Sequence, residues 1–123
     1  MSDLVRVAVD AMGGDYAPVE PVKGAVEAVN ADERVKVQLV GQVDVIEKEL
    51  QKYTYPKERV EIVPATEIIE TGEPPVNAIR HKKDSSIVVG MKKVRYGEAD
   101  AFVSSGSTGA VLVGGQTIVG RIK

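Results

Sequence analysis

Short runs of β-branched residues alternate with longer segments of helical periodicity, and this alternation restricts the fold more than any other feature of the chain. The strand-like runs cover residues 4–9, 35–40, 59–63 and 99–103. Parallel strands joined by helical crossovers produce this pattern. We therefore predict an α/β fold, an open and mostly parallel sheet with helices on both faces. The order of the strands does not follow from the pattern.

The helices are predicted from apolar spacing and from residues that start or stop a helix. Residues 22–29 place valine and alanine at i, i+3, i+4 and i+7, and residues 43–53 present a second apolar face. Two consecutive prolines delay the next helix until about Val76. Residues 84–86 predict the N-cap of a further helix that ends at residues 96–97.

The last helical segment has no charged residue between positions 110 and 119, which predicts burial on both faces. Residues 1–123 fit a single α/β domain. Within these residues, no element that could cover such a helix follows it. Either a partner subunit covers the helix or the chain is the first part of a longer protein. We expect the second, so that residues 1–123 form the amino-terminal part.

Composition excludes several classes of function. The 16 basic and 18 acidic residues nearly cancel, which argues against a general nucleic-acid-binding protein. Without cysteine there is no disulfide, thiol nucleophile or thiolate metal site. The first residues lack the features of a secretory signal, and the longest apolar run, at 110–113, is too short to cross a bilayer. A cytoplasmic protein is expected.

A run of small residues separates the fourth strand from the last helix. A strand that turns abruptly into a helix leaves backbone N–H groups bare at the helix N-terminus, where they attract an anion. The pattern thus indicates an oxyanion site for phosphate, or else a tight turn with a Ser or Thr cap. It has the spacing of neither a P-loop nor a dinucleotide-binding turn. The candidate residues are Ser104, Ser105, Gly106, Ser107, Thr108 and Gly109.

Two carboxylates follow the first strand, at Asp10 and Asp15, in another glycine-rich loop. A carboxylate there can accept a proton, orient a basic residue or bind a metal, or it can simply cap local amides. No histidine lies nearby, so we predict no metal. Ligands of open α/β sheets bind outside the carboxyl ends of the strands. We expect this loop and residues 104–109 to face each other across one crevice.

A basic run at residues 80–83 precedes the capped helix. One or two of its cations can reach an anion in the crevice, although a solvated helix face is the better explanation for most of them. His81 is the only histidine and lies beside cationic neighbours. We expect it to be exposed and predict no catalytic role for it.

Three segments, in this order and spacing, resemble the amino-terminal part of the bacterial phosphate acyltransferases of phospholipid synthesis (the PlsX type). They are residues 7–15, 80–86 and 104–110, and residues 118–123 are similar too. The resemblance implies a phosphotransacetylase-like fold and transfer of a fatty acyl group from acyl carrier protein to inorganic phosphate, without a cofactor. It also implies a homodimer that associates peripherally with the cytoplasmic membrane, and a chain considerably longer than this one.

The resemblance also suggests roles for the candidate residues. The loop at 104–109 would hold phosphate, Arg80 or Lys83 would neutralise charge, and Asp10 would take the phosphate proton or orient a neighbour. Asp10 and Lys83 are the predicted catalytic residues, and Arg80 joins the phosphate-binding set. Two alternatives stay open: an enzyme that uses coenzyme A thioesters, and a non-catalytic binding module.

Overall fold

The computed structural model describes residues 4–70, 72–106, 108–115 and 118, and its centre is a sheet of four parallel strands. The strands are β1 (Val5–Asp10), β2 (Val35–Gly41), β3 (Val60–Pro64) and β4 (Ala101–Val103). Their order in the sheet is β3-β2-β1-β4. β1 pairs with β2 over its whole length and with β4 from Val7 to Val9. The parallel α/β prediction is confirmed.

Helices lie on both faces of the sheet, as predicted. They are α1 (Val19–Ala31), α2 (Val43–Leu50), α3 (Pro75–His81), α4 (Ser86–Arg95) and α5 (Thr108–Gly114). α1 and α2 pack on one face, where Val37 and Leu39 of β2 belong to the same buried cluster. α4 covers the other face over Ala8 and Val40, and α3 and α5 pack beside it. Side chains that alternate along each strand divide between these two layers.

Local signals mark both ends of α4. Ser85 caps α4, because its hydroxyl oxygen accepts a hydrogen bond from the Val88 amide at 3.2 Å. Gly97, which follows α4, has a φ of 75°, a left-handed conformation that favours glycine. The second helix is shorter than predicted, since it ends at Leu50. Tyr53 instead reaches the α1–α2 cluster from the turn that follows.

The described part of the last helix has one covered side and one exposed side. Ala110 is fully buried, whereas Leu112 is 64% exposed. Only the side of α5 that meets α3 and α4 is covered; a Cβ atom at Gly114, for example, would overlap the Met91 sulfur. Cover of the exposed side by a partner subunit or by another part of a longer protein, as the sequence predicts, stays a prediction. Positions 116, 117 and 119 lie outside the described residues.

Candidate functional site

The strand order creates a crevice between β1 and β4. The connection that leaves β1 runs through α1 on one face of the sheet, while the connection that leaves β4 runs through α5 on the other. Neighbouring strands whose connections depart to opposite faces open a crevice at their carboxyl ends, where open α/β proteins bind their ligands. The candidate site is therefore the meeting point of the loops that follow β1 and β4.

These two loops touch, as the sequence predicted. A Cβ atom at Gly13 would overlap Asp10 Oδ2 and lie 2.9 Å from the backbone nitrogen of Gly106. Gly14 has a φ of 94°, and a Cβ there would lie 3.1 Å from the Ser105 carbonyl oxygen. Only residues without side chains allow this approach, so the glycines of the first loop bring the two loops into contact.

Asp10 is the centre of a buried hydrogen-bond cluster at this crevice. Asp10 is the last residue of β1 and is only 2% exposed. Oδ1 accepts hydrogen bonds from the Ser86 hydroxyl at 2.5 Å and from the Met12 amide at 3.0 Å. Oδ2 accepts one from the Ser104 hydroxyl at 2.7 Å. Asp10 thus joins the first loop, the start of α4 and the loop that follows β4.

The Asp10 cluster continues into the loop predicted to hold phosphate. Ser104 Oγ donates to Asp10 and also accepts a hydrogen bond from the Gly106 amide at 3.0 Å. The structure therefore differs from the expectation of bare amides at Gly106, because that amide already has an acceptor within its own loop. A short ST-type turn formed by Ser104 is the physical reason.

The other predicted site residues lie around this cluster. Ser105 is exposed and borders the crevice, and Gly109 packs closely on Pro75, whose Cγ would lie 2.5 Å from a Cβ at Gly109. Thr108 begins α5, while Ser107 lies outside the described residues. The role of these residues as phosphate ligands remains a prediction.

The predicted cations are exposed near the start of α4. Arg80 lies in the last turn of α3, and Lys83 lies in the short loop between α3 and α4. Within the part of the chain that the structure describes, no hydrogen bond or ion pair joins either of them to Asp10 or Ser104. Lys82 is fixed instead, since its ammonium group binds Glu73 Oε2 and the Ile68 carbonyl oxygen, each at 2.6 Å. His81 is exposed, as expected.

A cleft of about 250 Å³ opens beside the contact between the loops. Its lining includes Gly13, Gly14, Tyr16 and Ser105. The charged residues in that lining, Asp15 and Glu20, are both acidic. Any cation that neutralises a bound anion must therefore come from outside the lining. Among the described residues, no group of three or more His, Cys, Asp or Glu side chains could hold a metal ion.

Sequence reasoning assigned Ser86 only to the N-cap of the helix, whereas the structure places its hydroxyl on Asp10. Ser86 is the first residue of α4 and is only 2% exposed. The serine pair at 85–86 contained a signal for this contact: one serine suffices for the N-cap, so the second is free for another partner. Its partner, 76 positions earlier in the chain, could not be identified from spacing alone.

The start of α4 is fastened to the segment that follows β3. The Asp84 carboxylate accepts hydrogen bonds from the Thr66 hydroxyl at 2.6 Å and from the Thr66 amide at 3.0 Å. The Ser86 amide donates to the Glu67 carbonyl oxygen at 3.2 Å. The two Thr66 donors hold the pKa of the Asp84 carboxyl below its ordinary value. This fastening fixes the position from which Ser86 reaches Asp10.

The lowered pKa of Asp84 predicts a pH dependence of stability. A carboxyl whose pKa is lower in the folded state stabilises the protein above its unfolded pKa, and this contribution is lost as pH falls through the folded pKa. We expect the stability difference between wild type and Asp84→Asn to shrink below about pH 4. Urea midpoints at pH 7 and pH 3 measure it. In a Thr66→Val background the pH dependence should be weaker, because the first donor is absent; an equal dependence in both backgrounds would contradict this origin.

Comparisons with known proteins show the family to which the chain belongs. A family model described as "Fatty acid synthesis protein" matches residues 5–123. The chain is 51% identical over 120 residues to the Phosphate acyltransferase of Alkaliphilus oremlandii, covering 97% of this chain and 35% of that protein. It is 47% identical to the Phosphate acyltransferase of Halothermothrix orenii, covering 96% and 35% of the two chains. For the protein of the same name in Clostridioides difficile the identity is 48%, over 97% and 35%.

Proposed function

Since the chain belongs to the family described as Fatty acid synthesis protein, we propose that it is the amino-terminal part of an acyltransferase that uses inorganic phosphate as acceptor. The resemblance first seen in residues 7–15, 80–86 and 104–110 is confirmed by that membership. The chain spans 35% of the length of the relatives named Phosphate acyltransferase that it matches. The activity proposed is accordingly that of the full-length protein.

The proposed reaction transfers a fatty acyl group from acyl carrier protein to phosphate. A phosphate oxygen attacks the thioester carbonyl carbon; the new C–O bond forms as the C–S bond breaks. The phosphate proton passes to the departing thiolate, so that acyl phosphate and the free thiol of the carrier are the products. Positioning of both substrates and stabilisation of the thioester oxygen are sufficient for catalysis, without a cofactor or a covalent enzyme intermediate.

The observation that supports this proposal best is the contact of two small-residue loops at the crevice between β1 and β4. In our proposal the loop from Ser104 to Gly109 holds the phosphate, and Ser105, which lines the cleft, is one of its ligands. Arg80 and Lys83, both exposed near the start of α4, neutralise the negative charge of the bound phosphate. The cleft lining cannot do so, because its charged residues are acidic.

The geometry supports the orienting role for Asp10 over that of proton acceptor. Both of its oxygens already accept hydrogen bonds, and the residue is 2% exposed. A general base must come within hydrogen-bond distance of the proton that it abstracts. A buried carboxylate that already binds two hydroxyls is better suited to fix the loops than to take a proton from phosphate.

The proposal includes the partners that the family resemblance implies. They are acyl carrier protein, a second copy of the protein and the inner face of the cytoplasmic membrane, with no nucleic acid. Within the described ranges, no helix has the length and apolar character needed to span a bilayer. As the family resemblance implies, contact with a membrane surface is proposed for other parts of the full-length protein.

Formation of acyl phosphate by the full-length protein tests this function. We expect product from acyl carrier protein thioesters, at a rate that saturates with phosphate. Coenzyme A thioesters of the same chain serve as the comparison donors. Faster turnover of the coenzyme A donors would favour a phosphotransacetylase-like enzyme, and no phosphate-dependent product from either donor would favour a binding module.

A further inference from the structure

We infer that Ser86 is a positioning residue for the proposed reaction, acting through Asp10 and Ser104 on the loop that holds phosphate. This inference rests on the proposed function. Its basis is a continuous chain of hydrogen bonds from the Ser86 hydroxyl to Asp10 Oδ1, from the Ser104 hydroxyl to Asp10 Oδ2, and from the Gly106 amide to Ser104 Oγ. Ser86 lies at one end of this chain and the loop at the other.

Burial strengthens the hydrogen bond between Ser86 and Asp10. Ser86 and Asp10 are each 2% exposed, so water does not compete for the carboxylate. A hydroxyl that donates to a buried carboxylate forms a short, charge-assisted hydrogen bond, and here the oxygens are 2.5 Å apart. Ser86 and the Met12 amide together occupy Oδ1, which leaves Oδ2 directed at Ser104. The rotation of the carboxylate, and hence the position of Ser104, depends on Ser86.

The position of Ser104 in turn sets the shape of the loop. Its hydroxyl has one proton, which it donates to Asp10, so its oxygen is left to accept the Gly106 amide. Gly106 is confined on its other side as well, because a Cβ there would lie 3.2 Å from Gly13 Cα and 3.3 Å from Asp10 Oδ2. Ser105, between the two, is thereby presented at the crevice. Loss of the Ser86 hydroxyl leaves Oδ1 with only the longer hydrogen bond from the Met12 amide, which loosens this arrangement.

The adjacent serine provides a matched control. Ser85 is fully buried at the same helix start, but its oxygen accepts from Val88, and no hydrogen bond joins these two described residues, Ser85 and Asp10. Ser85→Ala therefore weakens the helix cap and leaves the chain from Ser86 to Gly106 intact. Ser86→Ala breaks this chain at its first link and leaves the helix cap at Ser85 intact. The two variants separate positioning of the phosphate loop from the general stability of α4.

Steady-state kinetics of the full-length enzyme test the inference. In Ser86→Ala we expect the KM for phosphate to rise about tenfold, because a hydrogen bond to a charged group is lost. The KM for the acyl carrier protein thioester should stay unchanged, and Ser85→Ala should keep the phosphate KM within about twofold of wild type. Should Ser86→Ala fail to fold, Ser104→Ala provides the test. It breaks the same chain of hydrogen bonds at the next link and should show the same selective rise of the phosphate KM.

A double variant provides an independent measurement. The phosphate KM of Ser86→Ala/Ser104→Ala should rise by less than the product of the two single effects, because both substitutions break one chain of contacts. Equal phosphate KM values for Ser86→Ala and Ser85→Ala, or a parallel rise of both substrate KM values, would overturn the inference. A wild-type enzyme that makes no acyl phosphate would instead overturn the proposed function, and the inference with it.

Discussion

Replacement of Asp10 by alanine is expected to lower the free energy of unfolding of the full-length protein by about 3–5 kcal/mol. The substitution leaves the Ser86 and Ser104 hydroxyls and the Met12 amide without their common acceptor. The Ser86 hydroxyl is shielded from water and the other two donors are partly shielded, so their desolvation is not fully compensated. Urea unfolding monitored by circular dichroism measures the change.

Two further variants show whether the buried cluster is the cause. Asp10→Asn keeps the shape and one acceptor oxygen, so we expect a smaller loss of about 1–3 kcal/mol. Asp15→Ala removes an exposed carboxylate from the same loop and should change stability by less than about 0.5 kcal/mol. If Asp10→Ala were as mild as Asp15→Ala, Asp10 would not be the centre of a buried network in solution.

Gly13→Ala is expected to lower the free energy of unfolding by about 3 kcal/mol or more, as much as overpacking of a hydrophobic core does. We also expect it to abolish acyl phosphate formation. The added methyl group would overlap Asp10 Oδ2 and lie 2.9 Å from the backbone nitrogen of Gly106. Neither neighbour can move away easily, because Asp10 accepts hydrogen bonds from three donors and the Gly106 amide donates one to Ser104 Oγ. Relief therefore requires that the two loops separate.

Two other glycines calibrate this effect. A Cβ at Gly24, within α1, meets no atom within 4 Å, so Gly24→Ala should stabilise the protein by about 0.5–1 kcal/mol through helix propensity. A Cβ at Gly41 would lie 2.5 Å from Met12 Cγ, in a flexible side chain that can rotate away. We expect the stability order Gly24→Ala, Gly41→Ala, Gly13→Ala from highest to lowest. Thermal melting of the three variants checks it, and a mild Gly13→Ala would contradict the close contact of the loops.

Local patterns in the sequence predicted the elements well because their causes are local. The spacing of Val22, Ala25, Val26 and Val29 gave the buried face of α1, and all four are buried. The cap at residues 84–86 was predicted because a serine oxygen binds an amide three positions later, a contact within one helical turn. Leu112 is exposed within the described residues, and the cover that the sequence predicts for that side of α5 stays a prediction, because burial depends on which elements lie nearby.

The candidate site was predicted in part. That the loops after the first and fourth strands meet follows from the rule that parallel strands end at one edge, and it is confirmed. Asp10 was selected for its place at a strand end, without knowledge of its partners. The amide of Gly106 was expected to be bare, yet a hydroxyl two residues earlier accepts from it. Whether Arg80 and Lys83 serve phosphate stays a prediction.

By itself, the sequence determined the alternation of parallel strands and helices, the small-residue loops and the family. These features depend on residues near one another in the chain, or on patterns shared with relatives. Only the tertiary structure decided that β1 lies between β2 and β4, and that Ser86 and Ser104 meet on one carboxylate. The physical reason is distance along the chain: these hydroxyls lie 76 and 94 positions from Asp10. Contacts of that range are created by strand order, which no local pattern encodes.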